Sequence, residues 1–187
     1  SPNLIFRHVM SQDYPAQRWR RRAVAHRIDL WTRFADHIIS GVEWVDYMYY
    51  WDTLTLAHFS IDTERWKPKA GSSHSQSTLR ILHAPNHRAI KGTQFFMDAV
   101  DELRNEGVDV ELILLERVPN EEVKRIMEGV DVVADQLIVG WYAMFAMEAM
   151  ALEKPVLCYL RDDLKDLYVA AGLIRPDEIP IIQATPA

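Results

Sequence analysis

The sequence predicts an α/β fold, a Rossmann-like parallel sheet with helices on both faces. Three observations support this prediction. From residue 79 onward, short apolar runs alternate with longer amphipathic segments. The connections between them are short, as they are in repeated strand–helix units. Several runs are apolar along their whole length, which is typical of parallel strands that are covered on both faces.

The elements of this region follow in order along the chain. Gly107 closes the first helix, Asn120 is placed to cap the second helix, and Gly129 is placed to end it. Ligands of such sheets bind at the carboxyl ends of the strands, so we expect a site there. We predict strands at 79–84, 108–116, 130–136, 155–160 and 179–184, and helices at 93–105, 120–129, 142–152 and 162–172.

The chain before this region predicts fewer elements. Helical spacing of apolar residues predicts a helix over 15–35. A short strand at 36–41, a helix at 42–50 and an irregular segment at 58–69 follow. A small polar stretch at 71–78 is predicted to be a linker. Because one short strand cannot build a sheet core, we expect the part before the linker not to fold independently.

The composition of the 187 residues excludes several classes of protein. The net charge of −6 argues against a general nucleic-acid binder. The single cysteine, Cys158, excludes an internal disulfide framework and fits a reducing compartment, so we expect a cytoplasmic location. No apolar run approaches the ~20 residues of a membrane-spanning helix. The basic run RWRRR at 18–22 could place the first helix against an anionic membrane, at its inner face. A solvated helix face is the more frequent outcome for such a run.

The loop at 83–93 has the composition of an anion-binding turn. A loop that enters a helix presents free backbone N–H groups, and the helix dipole adds positive charge there. Arg88 and Lys91 add full charges, and Gly92 would allow close backbone approach. This loop would bind a diphosphate favourably. However, neither a GxxxxGK[ST] loop nor a GxGxxG fingerprint is present, and a basic turn without a ligand is at least as frequent.

The helix at 142–152 carries one acid, Glu148, among Ala, Met and Phe residues. An isolated carboxylate on a largely buried helix is costly unless it is paired or hydrogen-bonded. Two interpretations are equally supported by this pattern. Glu148 either lies on the one solvated edge of the helix or accepts hydrogen bonds from ligand hydroxyls.

The other polar candidates have weaker signals. No cluster of His, Cys and carboxylate residues has the spacing of metal ligands, so no metal site is predicted. His83 and His87 could act as acid–base or phosphate-binding groups, and His83 is the better placed of the two. A hydrogen-bonded structural histidine is the more frequent interpretation of each. Cys158 closes an apolar strand and is most simply a core residue.

Two stretches taken together resemble the C-terminal domain of retaining GT-B glycosyltransferases of family 4. That family carries a Lys-Gly pair after the first strand of the domain, and Lys91-Gly92 matches it. The family also carries a helix reading roughly E-x-F-G-x-x-x-x-E-A-M-A-x-G-x-P-V. The segment WYAMFAMEAMALEKPV at 141–156 resembles much of this motif, in the right order. Residues 36–68 resemble the stretch where the family's N-terminal domain ends and crosses to the C-terminal domain.

The resemblance covers roughly residues 35–187 and implies a division of the chain into three parts. Residues 1–70 would be the end of the N-terminal domain and the crossover segment, and residues 71–78 would be the linker. Residues 79–187 would be a Rossmann-like nucleotide-sugar-binding domain that is incomplete at its C-terminus.

The resemblance also implies roles for individual residues. Lys91 would hold the diphosphate, with Arg88 as its helper, and these two are the expected catalytic residues. Glu148 would bind the ribose hydroxyls. Gly140 stands where the family usually has a Glu that contacts the donor sugar, and Asn86 stands where an Arg is frequent. The expected nucleotide-sugar-binding residues are Asn86, Arg88, Lys91, Gly92, Gly140, Trp141 and Glu148.

Further departures from the family pattern lie nearby. Ala143 stands where the family has Gly, and Glu153 stands where the family usually has the Gly that ends the helix. Asp135, Gln136 or the backbone at Gly140 could replace the missing donor-sugar contact.

The activity implied is transfer of a sugar from a nucleotide-diphosphate donor to an unknown acceptor, with retention of configuration. Lys91, Arg88 and a helix N-terminus would stabilise the leaving diphosphate without an obligatory metal or another cofactor. We expect the chain to bind a donor but to be inactive as a fragment. One alternative is a non-catalytic nucleotide-binding or regulatory module of the same fold. Another is a generic flavodoxin-like or Rossmann domain with no nucleotide-sugar role.

Overall fold

The computed structural model describes most of the chain. The residues it describes are 18–42, 50–56, 59–68 and 77–186. The first residues of the helix predicted over 15–35 lie outside them. So do most of the predicted helix at 42–50 and most of the predicted linker, and these remain predictions.

A five-stranded parallel sheet forms the centre of the protein. The strands in chain order are β1 (Ile39–Gly41), β2 (Thr53–Thr55), β3 (Leu79–His83), β4 (Val110–Leu114), β5 (Val132–Ala134), β6 (Val156–Cys158) and β7 (Ile182–Gln183). The order in the central sheet is β4-β3-β5-β6-β7, and all of its pairings are parallel. Leu82 pairs with Ile113 on one side and with Val133 on the other. The predicted fold class is confirmed.

Helices cover both faces of this sheet. In chain order the described helices are α1 (Arg18–Phe34), α2 (Arg88–Lys91), α3 (Thr93–Asn105), α4 (Asn120–Met127), α5 (Met144–Ala151) and α6 (Asp162–Ala170). Those that contribute buried residues to the core beside the sheet are α3, α4, α5 and α6. Successive residues of a strand point to opposite faces. Accordingly, Ile81 packs in one apolar cluster with Phe96 and Val100 of α3. Leu82 packs in the other cluster, which α4, α5 and α6 complete.

Two local predictions near the expected site are wrong. Residues 88–91 form the short helix α2, whereas an open loop was predicted before Gly92. The backbone N–H of Lys91 donates to the His87 carbonyl at 3.0 Å, so helical hydrogen bonding begins before Gly92. The predicted cap of α4 is also wrong. Pro119 occupies the N-cap position and no side chain caps this helix.

The segment before the central sheet packs against it. Strands β1 and β2 form a small parallel sheet of their own, and β2 was not predicted. Val42 and Trp66 are buried in the same apolar cluster as Leu82. The hydroxyl of Tyr168 in α6 donates to the Leu56 carbonyl. The crossover segment therefore completes part of the core.

The strand order places a crevice in the middle of the sheet. The chain leaves β3 toward β4 on one side, while β5 lies on the other side of β3. The loops that follow β3 and β5 thus diverge, and ligands of open α/β sheets bind where this happens. Within the described part of the chain, no helix is long and apolar enough to cross a membrane.

Candidate functional site

A buried ion pair lies at the carboxyl ends of β3 and β5. The ammonium Nζ of Lys91 is 3.0 Å from Oδ1 of Asp135. The Lys91 side chain is 13% exposed, whereas the Asp135 side chain has no exposed surface. Lys91 comes from the last turn of α2 and Asp135 directly follows β5. The structure therefore places Lys91 in the crevice, paired with Asp135. The sequence analysis named Asp135 only as a replacement for the missing donor-sugar contact.

Asp135 also fixes the start of α5. Its second oxygen, Oδ2, accepts the backbone N–H of Ala143 at 2.9 Å. The thiol of Cys158 lies 4.0 Å from the same oxygen, and burial raises the pKa of that thiol. The carbonyl of Lys91 accepts the N–H of Leu137 at 3.1 Å. One carboxylate and one backbone bond thus join α2 to the loop at 135–143.

Gly92 is required by the same junction. Its φ of 74° is in the left-handed region, where residues with a Cβ are strained. A Cβ at this position would lie 3.1 Å from Cβ of Leu137 and 3.2 Å from Cγ1 of Ile138. The absent side chain thus allows α2 to pack against the loop after β5. Its expected role in phosphate binding remains a prediction.

His83 has the geometry of a structural histidine. Its ring has no exposed surface, and both ring nitrogens are within hydrogen-bond distance of a partner. Nδ1 is 2.7 Å from the Ala134 carbonyl, which can only accept, so Nδ1 carries the proton. Nε2, at 2.9 Å, then accepts from the Thr93 hydroxyl. Burial is the main cause that lowers the pKa of His83 and keeps the ring neutral.

A cleft of about 410 Å³ lies beside the crevice, between the loops that follow β3 and β4. Arg88 forms two hydrogen bonds there with Glu116, at 2.7 and 2.5 Å. This partner raises the pKa of Arg88, and Arg88 in turn lowers the pKa of Glu116. Glu116 was not predicted as a site residue. The lining of the cleft is Ala84, Pro85, Asn86, Leu115, Glu116, Arg117, Val118 and Val123.

Glu148 lies in a third place, on the side of α5 that faces α4. Its Oε1 is 3.5 Å from the amide nitrogen of Asn120. Burial raises the pKa of the Glu148 carboxyl, while the Asn120 bond and the charge of Arg65 act in the opposite direction. The carboxyl is partly buried. It therefore lies on neither a fully solvated edge nor a closed apolar core.

Gly140 cannot be replaced by a larger residue without a rearrangement. Its φ is 85°. A Cβ built on it would lie 2.5 Å from Cγ and 2.8 Å from Cδ of Arg161. Arg161 is 4% exposed and bonds to Asp163 at 3.0 Å, and its backbone N–H donates to the Gly140 carbonyl at 2.9 Å. Arg161 thus fills the space that the first atom of a side chain at position 140 would enter. Sequence reasoning did not find it, because no local pattern links positions 140 and 161.

The remaining predicted residues of this loop are buried. Trp141 is 3% exposed and packs against Tyr168, with ring centroids 4.9 Å apart. The side-chain amide of Gln136 donates to the Trp141 carbonyl. Trp141 borders an apolar cavity of about 180 Å³ between α5, α6 and the segment at 174–181. The binding role expected for Trp141 remains a prediction.

The departures at Ala143 and Glu153 differ in their consequences. Ala143 has an extended φ of −123°, which any residue adopts. Glu153 has a φ of 57°, so it takes the left-handed conformation that a glycine would take without strain. Among the described residues, no group of His, Cys, Asp or Glu could hold a metal ion.

The comparisons with known proteins agree with this architecture. No protein-family profile matches the chain, and no curated protein matches it. Among solved structures, TarM, a glycosyltransferase of the GT-B type, superposes with a TM-score of 0.50 at 10% sequence identity. The chain therefore shares the fold of the part of TarM that it matches. The superposition covers 82% of this chain and 39% of TarM, so the chain spans well under half the length of that protein.

Proposed function

We propose that this chain is the donor-binding part of a nucleotide-sugar-dependent glycosyltransferase. The observation that carries the proposal is the Lys91 ammonium at the carboxyl ends of β3 and β5, in a protein with a glycosyltransferase-like fold. Such a position is where open α/β sheets bind ligands. A lysine is a strong partner for phosphate because its hydrogen bonds are charge-assisted.

The proposed roles of the side chains follow the resemblance to retaining GT-B glycosyltransferases. Lys91 and Arg88 bind the diphosphate and stabilise its charge as the donor bond breaks. Glu148 accepts hydrogen bonds from the ribose hydroxyls. The donor sugar is transferred to an acceptor with retention of configuration, without a metal as an obligatory participant. Most of the acceptor site belongs to a further domain of the enzyme, so the chain alone binds the donor and transfers little.

A non-catalytic nucleotide-binding module of the same fold is the second candidate. The contact between Gly140 and Arg161 favours it, because a side chain at position 140 would clash with Arg161 unless Arg161 moved. In that case the protein binds the nucleotide and lacks the contact to the donor sugar. Hydrolysis of the donor by a protein that includes the further domain separates the two candidates, since only the enzyme releases free sugar.

The proposal is tested by thermal shift and calorimetry with UDP, GDP, ADP and their sugars. We expect one nucleoside diphosphate to raise the melting temperature and to bind in a saturable manner. The uncharged nucleosides are the matched control, and they should have a much smaller effect. If the diphosphates and the nucleosides leave the melting temperature equally unchanged, the donor-binding function is wrong.

A further inference from the structure

The buried carboxylate of Asp135 neutralises the cation that the proposed function requires. Lys91 and Asp135 carry opposite unit charges 3.0 Å apart, and both are largely shielded from water. Burying a charge is expensive unless a partner compensates it. The pair as it stands therefore offers little net charge to an incoming anion.

Arg88, the second cation of the site, is also paired with a carboxylate. Arg88 is held by Glu116 through two hydrogen bonds, although that pair is half exposed and screened by water. Lys91 differs because its partner has no exposed surface and cannot turn toward solvent. The carboxylate of Asp135 is therefore the more effective of the two in holding a cation away from a ligand.

The structural bonds of Asp135 do not require its charge. Its Oδ2 accepts the Ala143 N–H at 2.9 Å, and the side-chain carbonyl of an asparagine could accept the same bond. The backbone bond from the Leu137 N–H to the Lys91 carbonyl holds α2 in place without either side chain. The Lys91 ammonium can thus leave Asp135 by a movement of its side chain alone, while α2 stays joined to the loop at 135–143.

We propose that Asp135 is an autoinhibitory counter-ion, which competes with anionic ligands for the Lys91 ammonium and so lowers the affinity of the crevice for a diphosphate. The identity of the natural ligand rests on the proposed function, whereas the competition concerns any diphosphate group. Removing the negative charge while keeping the shape makes the Lys91 side chain available to a ligand.

Calorimetric titration of inorganic pyrophosphate into wild type and Asp135→Asn tests this proposal. We expect the variant to bind pyrophosphate about tenfold more tightly or better, since a full charge beside the ligand is removed from a poorly screened site. The double variant Lys91→Met/Asp135→Asn is the matched control, because it is neutral at both positions. It should lose the gain. Unchanged or weaker binding by Asp135→Asn overturns the proposal, and so does a double variant that binds as tightly as the single one.

A measurement on wild type covers the case in which Asp135→Asn does not fold. The carboxyl carbon resonance of Asp135 is followed by NMR during a pyrophosphate titration. We expect it to move as the ion pair opens, in proportion to the bound fraction. A resonance that stays in place while pyrophosphate saturates the protein overturns the proposal.

The outcomes separate this proposal from the proposed function. If Asp135→Asn gains pyrophosphate binding and no nucleoside diphosphate binds to any variant, the counter-ion role stands and the donor-binding function fails. If a nucleoside diphosphate binds wild type and Asp135→Asn with equal affinity, the function stands and the counter-ion role fails.

Discussion

The side chain of Arg161 fills the space in front of Gly140. A Cβ on Gly140 would lie 2.5 Å from Cγ of Arg161, and the φ of 85° is itself unfavourable for other residues. The two positions are tied by a backbone bond from the Arg161 N–H to the Gly140 carbonyl. The fold therefore favours glycine at position 140, whatever the loop binds.

Gly140→Ala is expected to destabilise the protein by about 1–3 kcal/mol, from overpacking and left-handed backbone strain. Denaturant unfolding measures the loss. Arg161→Ala removes the side-chain atoms that would clash with a Cβ at position 140. The loss in free energy of unfolding caused by Arg161→Ala should therefore be smaller in the Gly140→Ala background than in wild type. Strict additivity of the two effects would contradict the steric explanation.

Lys91→Ala is expected to lower the free energy of unfolding by about 3–5 kcal/mol, because it leaves the buried Asp135 carboxylate without its partner. Asp135→Asn should cost less, since the Lys91 ammonium retains a path to solvent along its 13% exposed side chain. Urea denaturation compares the two variants. A Lys91→Ala protein as stable as wild type would show that the pair is unimportant to the fold, and equal losses would show that an unpaired Asp135 costs no more than an unpaired Lys91.

This expectation changes how binding data must be interpreted. From its sequence context, Lys91 is expected to matter far more for diphosphate binding than for stability. The ion pair with Asp135 predicts a large loss of stability as well. Loss of binding in Lys91→Ala therefore has to be compared with Lys91→Met/Asp135→Asn, in which no buried charge is left unpaired.

The fold could be predicted from the sequence because its signals are local. Apolar runs and glycine positions predicted the strands and helices of the central sheet, including the helix at 142–152 that corresponds to α5. The partners within the site could not be predicted in this way. Lys91 and Asp135 are 44 positions apart, and they meet because β3 and β5 are neighbours in the sheet. Arg161 reaches Gly140 for the same kind of reason, since neither position lies in a periodic pattern that includes the other.

Glu153→Gly is expected to stabilise the protein by about 1 kcal/mol, because the φ of 57° costs a residue with a Cβ roughly that amount. Glu106 is a matched control. It is also an exposed glutamate at a helix end, but its φ is −81°. Glu106→Gly should therefore destabilise the protein by about 0.5–1 kcal/mol. The melting temperature should rise in Glu153→Gly and fall in Glu106→Gly. If both change in the same direction, the left-handed backbone of Glu153 is not the cause.

Glu148→Gln is expected to stabilise the ligand-free protein at neutral pH. Burial raises the pKa of Glu148 in the folded state above its ordinary value of 4.5. Folding therefore favours the protonated form, and the stability that this form contributes is present below pH 4.5 and lost as the pH rises through the folded-state pKa. Glutamine is neutral at every pH. Glu148→Gln should therefore be more stable than wild type above the folded-state pKa of Glu148, and this difference should vanish below pH 4.5. Thermal melts across pH measure the difference, with the exposed Glu153→Gln as the control for a simple change of net charge.

The same variant tests the ribose assignment, which rests on the proposed function. Hydrogen bonds to a charged group contribute about 1.5–3 kcal/mol, so Glu148→Gln should weaken the binding of a nucleoside diphosphate by roughly tenfold or more. Its 2′,3′-dideoxy analogue lacks the hydroxyls and should bind wild type and variant with similar affinity. Calorimetry with both nucleotides gives the comparison. If wild type binds the two nucleotides equally well, Glu148 does not contact the ribose. Its hydrogen bond from Asn120 and its electrostatic attraction to Arg65 would then be those of a structural residue between α5, α4 and the crossover segment.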